Sequence, residues 1–408
     1  MNIDQQVAYL MRGTEYGDPE THKAMEAELR ERLIESEREG RPLRVYCGYD
    51  PRTSDLHIGH TVTMRKLRQF QELGHLVTFV IGTYTALIGD PSDKDKLRAQ
   101  LTPEEARKNA ETYAEQVFRI GILDREKTQV RYNAEWLSEL SFKELIQLAS
   151  NFTIQQFMTR VNFRKRWEKD EAIYFHEFFY ALMQGYDAYA LEADVQVGGT
   201  DQMFNIMTAA RKIMAYYGKK PNIGIILGIL PGTDGEVKMS KSLGNHIPLN
   251  TTPEDMFGKV MSIPDKAMLS YARLVSRWSV EKIDSFEEAI EASEVHPRDA
   301  KMDLAEEITA AFFDEDQAEM AREHFVSLFQ KGDTPDEMPT YSISGGVALI
   351  VALTESGTVK SSSQVRRLIQ QNGVKVDGEK VSDPFMDLKP GSVVQVGKRR
   401  FLKIEEEK

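Results

Sequence analysis

A chain of 408 residues is long enough for two or three domains, each with a core of its own. Its 64 Asp and Glu outnumber its 52 Lys and Arg, and the formal charge of −12 excludes a surface that binds nucleic acid nonspecifically. The single cysteine, Cys47, excludes an intrachain disulfide and fits a reducing compartment. The first ten residues lack a signal-peptide pattern, and the longest apolar runs are too short to span a bilayer. We therefore expect a cytoplasmic protein with no membrane partner.

Helix and strand patterns alternate along the first half of the chain. Residues 21–40 form a charged helix pattern, 43–49 a strand, 57–73 a helix and 75–82 an apolar strand. More helices and short strands continue to 222–230. This alternation of strand and helix predicts an α/β fold class, with a parallel sheet and right-handed crossovers.

The second half of the chain is different in kind. Its pattern is wholly helical from 253 to 332, and the stretch that follows is rich in Pro, Gly, Ser and Thr, as linkers are. We place domains at 1–252 and 253–332, a linker at 333–346 and a small α+β module at 347–408. Within the first domain, helical residues at about 130–168 are a candidate connective segment and dimer interface, with ordinary core packing as the alternative.

The tail also reverses the sign of the charge, since its last 68 residues hold eleven Lys and Arg against eight Asp and Glu. Each basic run alone is more often a solvated surface. A reversal that is confined to one small module favours contact with an RNA backbone instead. The candidate RNA-binding residues are Arg366 and Arg367 in a helix pattern and Lys398, Arg399 and Arg400 after the last strand.

Residues 46–61 are a candidate nucleotide site, since the chain holds neither a Walker loop nor a GxGxxG motif. This segment runs from a strand through a Gly–Asp–Pro turn into a helix that starts with the tetrapeptide HIGH. The free N–H groups and partial positive charge of a helix start suit a polyphosphate. His57 and His60 share one face and can donate to phosphate oxygens, while Gly59 leaves room for a flat base. The alternatives are two satisfied histidines, or two of three zinc ligands for which the chain offers no further cluster.

A second basic element, the loop KMSKS at 238–242, follows some 180 residues later. Two lysines on such a loop can neutralise charge on a leaving pyrophosphate, although an isolated basic loop is usually only exposed surface. The pair of HIGH and KMSKS resembles the signature of class I aminoacyl-tRNA synthetases. The resemblance implies a Rossmann-type catalytic domain that binds ATP. It also implies that four side chains stabilise the transition state of adenylate formation, namely His57, His60, Lys238 and Lys241.

The stretches 85–94 and 175–206 are similar to the tyrosine pocket of the bacterial tyrosyl-tRNA synthetase family. The resemblance implies an ammonium end and a phenol end of the substrate site. Buried partners for a phenolic hydroxyl reject phenylalanine, because it would leave them unpaired. The side chains that match the family are Asp90, Tyr180 and Gln184 for the ammonium, and Tyr46 and Asp187 for the phenol.

Residues 198–202, GGTDQ, resemble the ribose-binding segment of the same family. The resemblance implies that the ligand approaches the backbone closely at Gly199 and that Asp201 contacts the ribose. It also implies that the side chain of Gln202 extends to the substrate carboxylate. Cys47 matches another position that contacts the ribose. Each of these residues alone is more often a cap or a surface group, so their occurrence together and in order is what indicates a site.

The tail resembles the small RNA-binding fold of a ribosomal small-subunit protein, most clearly over 361–381. Together the resemblances imply a homodimeric enzyme that joins L-tyrosine to tRNA(Tyr) through tyrosyl-adenylate. They also imply that it uses ATP with Mg²⁺, and that no dedicated protein site holds the metal. A tryptophanyl-type synthetase and a synthetase-derived RNA-binding or splicing protein are the alternatives.

Overall fold

The computed structural model describes residues 1–51, 56–91, 102–119, 121–328, 338–343, 345–397 and 400–406. The chain forms two compact units, Met1–Ala318 and Glu319–Lys408. None of the helices in the described ranges has the length and hydropathy needed to cross a bilayer.

A five-stranded parallel sheet organises the first unit. Its strands are β1 (Arg44–Tyr49), β2 (Leu76–Ile81), β3 (Thr128–Tyr132), β4 (Val195–Gly199) and β5 (Ile223–Leu227). Their spatial order is β3-β2-β1-β4-β5, and every neighbouring pair is parallel. β2, β4 and β5 are almost wholly buried, which is why they read as continuous apolar runs. This is the α/β architecture that the sequence predicts.

Helices surround the sheet and continue beyond it. In chain order they are α1 (Ile3–Met11), α2 (Pro19–Glu39), α3 (Ile58–Glu72), α4 (Pro103–Arg119), α5 (Ala134–Leu137), α6 (Phe142–Ala149), α7 (Ile154–Phe157), α8 (Val161–Glu168), α9 (His176–Ala190), α10 (Arg211–Tyr216), α11 (Pro253–Met261), α12 (Met268–Val275), α13 (Val280–Glu291), α14 (Pro297–Phe312) and α15 (Glu315–Val326). The described ranges also hold 3-10 turns at Thr85–Leu87, Thr200–Gln202, Lys241–Leu243 and Asp265–Ala267 and a π-helix at Phe204–Ala210.

Local sequence accounts for the bounds of α2. Asp18 caps the helix by accepting the backbone N–H of Thr21, and Pro19 occupies the first position, where its missing N–H costs nothing. Gly40 ends the helix in the left-handed region, with φ 61°. The helix therefore begins two residues before the predicted start, because Pro19 favours the first turn.

The helices α11 to α14 belong to the same compact unit as the sheet, and the boundary after Ala318 falls within α15. α11 packs against α14, and α12 packs against α3. The helix α3, which leaves the candidate nucleotide site, is thus held between the sheet and the helical segment.

The second unit is a small α+β body. It begins within α15, and its further helices are α16 (Leu349–Glu355) and α17 (Ser362–Gln370). Its strands are β6 (Thr340–Ile343), β7 (Val347–Ala348), β8 (Val374–Val376), β9 (Glu379–Lys380), β10 (Asp387–Leu388), β11 (Val393–Val396) and β12 (Arg400–Glu406). The larger sheet has the order β6-β12-β11-β8-β9, and β10 pairs with β7. β6 lies within the predicted linker 333–346 but pairs with β12, so that part of the linker is strand. Composition alone does not reveal it, because its partner comes much later in the chain.

Candidate active site

The reversal of strand order between β1 and β4 marks the place where a sheet of this type binds ligands. β2 and β3 lie on one side of β1, and β5 lies on the far side of β4. The crossovers therefore leave in opposite directions and open a crevice at the carboxyl ends of these two strands. Asp50 follows β1, and Gly199 ends β4, so the two predicted segments 46–61 and 198–202 meet at one edge of the sheet.

The HIGH tetrapeptide forms the start of α3. His57 is the N-cap residue, with extended backbone at φ −127° and ψ 166°. Its backbone N–H donates to Nδ1 of His60 at 3.2 Å, and the two ring centroids are 3.9 Å apart. Gly59 suits this close approach, because a Cβ at that position would lie 3.0 Å from Nδ1 of His57.

Both histidines are neutral at physiological pH. Burial lowers the pKa of His57 to about 3, and the neighbouring rings and Lys238 lower it further. Burial likewise lowers the pKa of His60 to about 4. Because Nδ1 of His60 accepts a hydrogen bond, its proton resides on Nε2, which stays available as a donor. The two rings thus contribute hydrogen-bond donors rather than positive charge.

The KMSKS loop is joined directly to the start of α3. The backbone N–H of Ile58 donates to the carbonyl of Ile247 at 3.0 Å, just after the loop. Within the loop, the N–H of Ser240 donates to Oδ1 of Asn245 at 2.8 Å. Met239 is buried against the helix start, since a Cβ on Gly59 would lie 3.6 Å from its own Cβ. The two signature elements therefore meet in space.

A third histidine, His246, lies beside this pair. Its ring centroid is 6.2 Å from that of His57. Among the described residues, Nδ1 of His57 and Nδ1 of His246 are both buried without a hydrogen-bond partner. Sequence analysis did not single out His246, because one histidine after a basic loop carries no pattern.

Lys238 connects the loop to the β4 side of the crevice. Its Nζ lies 2.8 Å from Oδ2 of Asp201, in an ion pair that is partly open to solvent. A Cβ on Gly199 would lie 2.7 Å from Oδ1 of Asp201, so glycine leaves the space that this carboxylate occupies. Lys241 begins the 3-10 turn and is exposed. Cys47 is buried in β1, where burial raises the pKa of its thiol to about 12.

Asp187 on α9 is a buried carboxyl, 3% exposed. Nε1 of Trp136 donates to its Oδ1 at 2.7 Å, and Nδ2 of Asn133 donates to its Oδ2 at 3.4 Å. Burial raises the pKa of Asp187 to about 8, which these two hydrogen bonds oppose and the Asp50 carboxylate reinforces. Sequence analysis missed Trp136 and Asn133, because nothing local marks them as partners of α9.

Asp50 extends this polar network towards Tyr180. Nδ2 of Asn133 also donates to Oγ1 of Thr85 at 3.0 Å, and that hydroxyl donates to Oδ1 of Asp50 at 2.7 Å. The hydroxyl of Tyr180 donates to the other oxygen of Asp50 at 3.1 Å. A Cβ on Gly82 would lie 2.2 Å from Oδ1 of Asp50, so the network needs glycine there. Asp50, Thr85 and Gly82 are further site residues that the sequence analysis did not predict.

A second polar group surrounds Asp90. Nε2 of Gln202 donates to Oδ2 of Asp90 at 2.5 Å. Nδ2 of Asn205 lies 3.0 Å from Oε1 of Gln202 and 2.9 Å from Oε1 of Gln184. The buried Arg160 places Nη2 3.9 Å from Oδ1 of Asp90. The structure thus brings the predicted Asp90, Gln184 and Gln202 together and adds Asn205 and Arg160.

Tyr46 on β1 is buried beside α9. Its hydroxyl donates to the backbone carbonyl of Gln184 at 3.4 Å. Burial, followed by the nearby Asp187 carboxylate, raises the pKa of the Tyr46 phenol well above its ordinary value. The ring packs in one cluster with Ala188 and the partly buried Trp136. Tyr46 therefore lies at the same end of the site as Asp187.

The residues predicted to contact RNA belong to the second unit. Arg366 and Arg367 lie on α17, and Arg400 begins β12. Lys398 and Arg399 lie outside the described residues.

Comparison with known proteins identifies the class that this fold and site define. The family model described as tRNA synthetases class I (W and Y) matches residues 38–330, and the S4 domain model matches residues 349–394. Because the first match covers more than half of the chain, the protein is a class I tRNA synthetase with a C-terminal S4 domain.

Individual relatives indicate which type of class I synthetase the chain resembles. A tyrosine–tRNA ligase from Carboxydothermus hydrogenoformans is 48% identical over 392 residues, which are 94% of this chain and 95% of the relative. One from Moorella thermoacetica is 44% identical over 405 residues, 98% and 97% of the two chains. The crystal structure of tyrosyl-tRNA synthetase from Archaeoglobus fulgidus shares the fold, with a TM-score of 0.59 at 23% identity over 79% of this chain and 100% of that one. This chain belongs to the tyrosine–tRNA ligase family.

The membership confirms the predicted fold class, the S4-type tail and the tyrosine–tRNA ligase activity. It favours the tyrosyl reading over the tryptophanyl alternative, because the family model covers both types whereas these relatives are tyrosyl enzymes. The roles of individual site residues stay predictions.

Proposed function

We propose that this chain joins L-tyrosine to the 3′-terminal adenosine of tRNA(Tyr) in two steps, at the crevice between β1 and β4. The observation that carries the proposal is the buried Asp187 with its two hydrogen-bond donors, Trp136 and Asn133. A separate acidic group, Asp90, accepts a hydrogen bond from Gln202 in the turn directly after β4, at the same edge of the sheet. Two such groups fit an amino acid that carries a hydroxyl on its side chain and an ammonium at its α-carbon.

At the phenol end, Asp187 binds the substrate hydroxyl and Tyr46 packs beside it. Trp136 and Asn133 hold the carboxyl in one orientation, and its remaining lone pairs are left for the ligand. Phenylalanine would leave those remaining lone pairs buried without a partner, which costs about 1–3 kcal/mol. The pocket therefore selects tyrosine through the hydroxyl rather than through the ring.

At the ammonium end, Asp90 supplies the negative charge, and Tyr180 and Gln184 supply oxygen acceptors. Asn205 fixes the side-chain amides of Gln184 and Gln202 by donating to both. Gln202 borders Asp201, so the substrate carboxylate near Gln202 points towards the nucleotide side of the crevice.

ATP binds where HIGH and KMSKS meet. The neutral rings of His57 and His60 donate to phosphate oxygens without adding charge. Lys238 and Lys241 supply the positive charge, and Lys238 exchanges its present partner for the phosphates. Asp201, released from that ion pair, accepts from a ribose hydroxyl, while Gly59 and Gly199 allow close approach of the nucleotide. Cys47 lies below the ribose.

The chemistry needs no protein nucleophile. A tyrosine carboxylate oxygen attacks the α-phosphorus, a new P–O bond forms, and the bond to the β-phosphate oxygen breaks with release of pyrophosphate. A ribose hydroxyl of the tRNA then attacks the carbonyl carbon of the adenylate, and AMP leaves as the proton passes to solvent. The protein contributes position and charge stabilisation that strengthens as pyrophosphate departs.

Mg²⁺ enters with the nucleotide. Among the described residues, no group of three or more His, Cys, Asp or Glu side chains is arranged to hold a metal ion. Mg²⁺ commonly binds through substrate phosphates and retained waters, and there it neutralises phosphate charge. Lys238 and Lys241 add to that neutralisation from the protein side.

We further propose that the enzyme works as a homodimer in the cytoplasm and uses Arg366, Arg367 and Arg400 on tRNA. Support for the dimer comes from large apolar side chains that are exposed between 142 and 175. So many large exposed apolar side chains within one short stretch of the chain favour an interaction surface. These side chains are Phe142, Ile146, Ile154, Val161, Trp167 and Phe175, which are 56–76% exposed.

Sedimentation velocity tests the dimer. Phe142→Asp combined with Trp167→Asp should convert the protein to a monomer, because burying two carboxylates in an apolar interface is costly. Ile34→Asp, on another exposed apolar residue, is the control and should leave the assembly unchanged. A dimer that survives the double substitution would place the interface elsewhere.

Amino-acid-dependent ATP–pyrophosphate exchange tests the activity. We expect exchange with L-tyrosine and none with L-tryptophan, followed by tyrosine transfer when tRNA(Tyr) is added. RNA binding without exchange would support the alternative of a splicing cofactor and would overturn the proposal.

A further inference from the structure

A second basic cavity lies away from the crevice, on a different face of α3. Its volume is about 320 Å³, at the lower end of the range for small-ligand sites. The end of α1, the second half of α3 and the segment around α12 line it. Its cationic lining residues are Arg12, Arg65, Lys66, Arg68, Arg273 and Arg277.

Three of these cations already have acidic partners. They are paired as Arg68 with Glu72, Arg273 with Glu287, and Arg277 with both Glu307 and Glu315. In the described part of the chain, Arg12, Arg65 and Lys66 have no carboxylate within 4.0 Å. The cavity therefore keeps positive charge that its own walls do not compensate.

Two of the remaining cations are partly satisfied by backbone carbonyls. Nζ of Lys66 donates to the carbonyls of Leu10 at 2.8 Å and Arg12 at 2.9 Å, and burial lowers the pKa of this lysine well below its ordinary value. Arg12 donates through Nη1 to the carbonyl of Trp278, but its Nε is buried without a partner among the described residues.

Among the described residues, Arg65 is the cation of this lining that has no polar partner. Its Nε and Nη2 are buried with no hydrogen-bond partner in the described chain, and its guanidinium lies over the ring of Phe312 at 4.9 Å. Burial is the main cause that lowers the pKa of Arg65 to about 10. The nearby Glu307 carboxylate raises this pKa, and the charges of Arg277 and Arg12 lower it. A buried guanidinium with unpaired N–H groups is costly, and an anion that reaches these groups from the cavity removes that cost.

We propose that this cavity binds a phosphate group through Arg65 and Arg12. A guanidinium presents parallel N–H donors that match two phosphate oxygens. Arg65 lies five residues beyond His60 on α3, which turns it by about 140° around the helix axis, so the cavity is distinct from the ATP phosphate site. The phosphate is either a free ion, such as inorganic phosphate or pyrophosphate, or part of an RNA backbone, since both present the same oxygens.

Calorimetric titration with inorganic phosphate, at an ionic strength held constant with chloride, tests the site. The full chain carries Lys238→Met to weaken phosphate binding in the crevice, and it is compared with the same protein carrying Arg65→Met. Methionine keeps an apolar side chain of similar length against Phe312. We expect one saturable phosphate site in the parent and at least tenfold weaker binding after Arg65→Met. Equal affinity in both proteins would overturn the proposal.

Thermal unfolding separates an anion site from a purely structural arginine. Without phosphate, Arg65→Met should melt at the same temperature as its parent or higher, because an uncompensated buried charge is gone. Phosphate should raise the melting temperature of the parent only. A lower melting temperature for Arg65→Met without phosphate, together with an equal response to phosphate, would show that Arg65 serves packing alone.

The affinity for tRNA identifies the source of the phosphate. Weaker tRNA binding in Arg65→Met would assign the site to the RNA backbone, and unchanged tRNA binding with loss of inorganic phosphate would assign it to the free ion. If neither ligand responds to Arg65→Met, the cavity binds no phosphate.

Discussion

The buried carboxyl of Asp187 gives the stability of the first unit a pH dependence that one substitution removes. Its pKa is about 8 in the folded chain against an ordinary value of 3.8, so between these pH values the folded state keeps a proton that the unfolded state has lost. The native state then binds more protons, and the free energy of unfolding falls as the pH rises, by about 1.4 kcal/mol per pH unit. The stabilisation is complete below about pH 4 and lost above about pH 8, about 6 kcal/mol in all.

Asp187→Asn removes the titration and keeps an oxygen that accepts from Trp136. Urea unfolding of both proteins at several pH values, followed by tryptophan fluorescence, measures the effect. All three tryptophans lie in Met1–Ala318, so the signal reports this unit. The wild-type free energy of unfolding minus that of the variant should fall by about 4 kcal/mol between about pH 5 and about pH 8. A difference that does not change with pH would show that Asp187 is ionised when folded and would refute the reasoning.

Three further substitutions test the site. Asp187→Ala should lower the tyrosine-to-phenylalanine ratio of kcat/KM by roughly 10- to 100-fold, because the phenol loses its buried partner. ATP–pyrophosphate exchange measures this ratio, and an unchanged ratio would contradict the role of Asp187. Lys241→Ala should slow single-turnover adenylate formation with little change in the Kd for tyrosine, since the charge of Lys241 acts on departing pyrophosphate. A variant that only binds tyrosine more weakly would count against this role of Lys241. Gly82→Ala should slow exchange and lower the free energy of unfolding by roughly 1–3 kcal/mol, because its Cβ would meet Asp50 at 2.2 Å. Gly48→Ala, whose Cβ meets nothing within 4 Å, is its matched control, and equal effects of the two would refute the steric argument.

Sequence patterns predicted the parts of the site that depend on local structure. Neighbouring residues specify a buried strand, the glycine turn that follows it and the start of the next helix. The position of HIGH at the start of α3 was therefore predictable. The i,i+4 spacing of Tyr180 and Gln184 likewise follows from one helix. By contrast, Asp50, Asn133 and Arg160 reach the site through contacts between distant segments, which local spacing does not encode.

The charge states of the site depend on burial rather than on residue type. Sequence analysis treated His57 and His60 as donors to phosphate but did not predict that burial keeps both neutral. It also named Asp187 as a partner for the phenol without predicting its raised pKa. Desolvation is a property of the packed environment, so these values follow only from the folded chain.

The order of residues by itself determined the alternation of strands and helices, the two basic signatures and the separate basic tail, because periodicity, turn chemistry and charge are local properties. Tertiary structure alone decided which distant groups share a wall of the crevice and which cations lack a partner. It joined Trp136 to Asp187, and within the described part of the chain it left Nε and Nη2 of Arg65 without a partner beside a separate cavity. Packing brings such groups together across the chain, and the low dielectric of the interior then sets their charge and their need for a ligand.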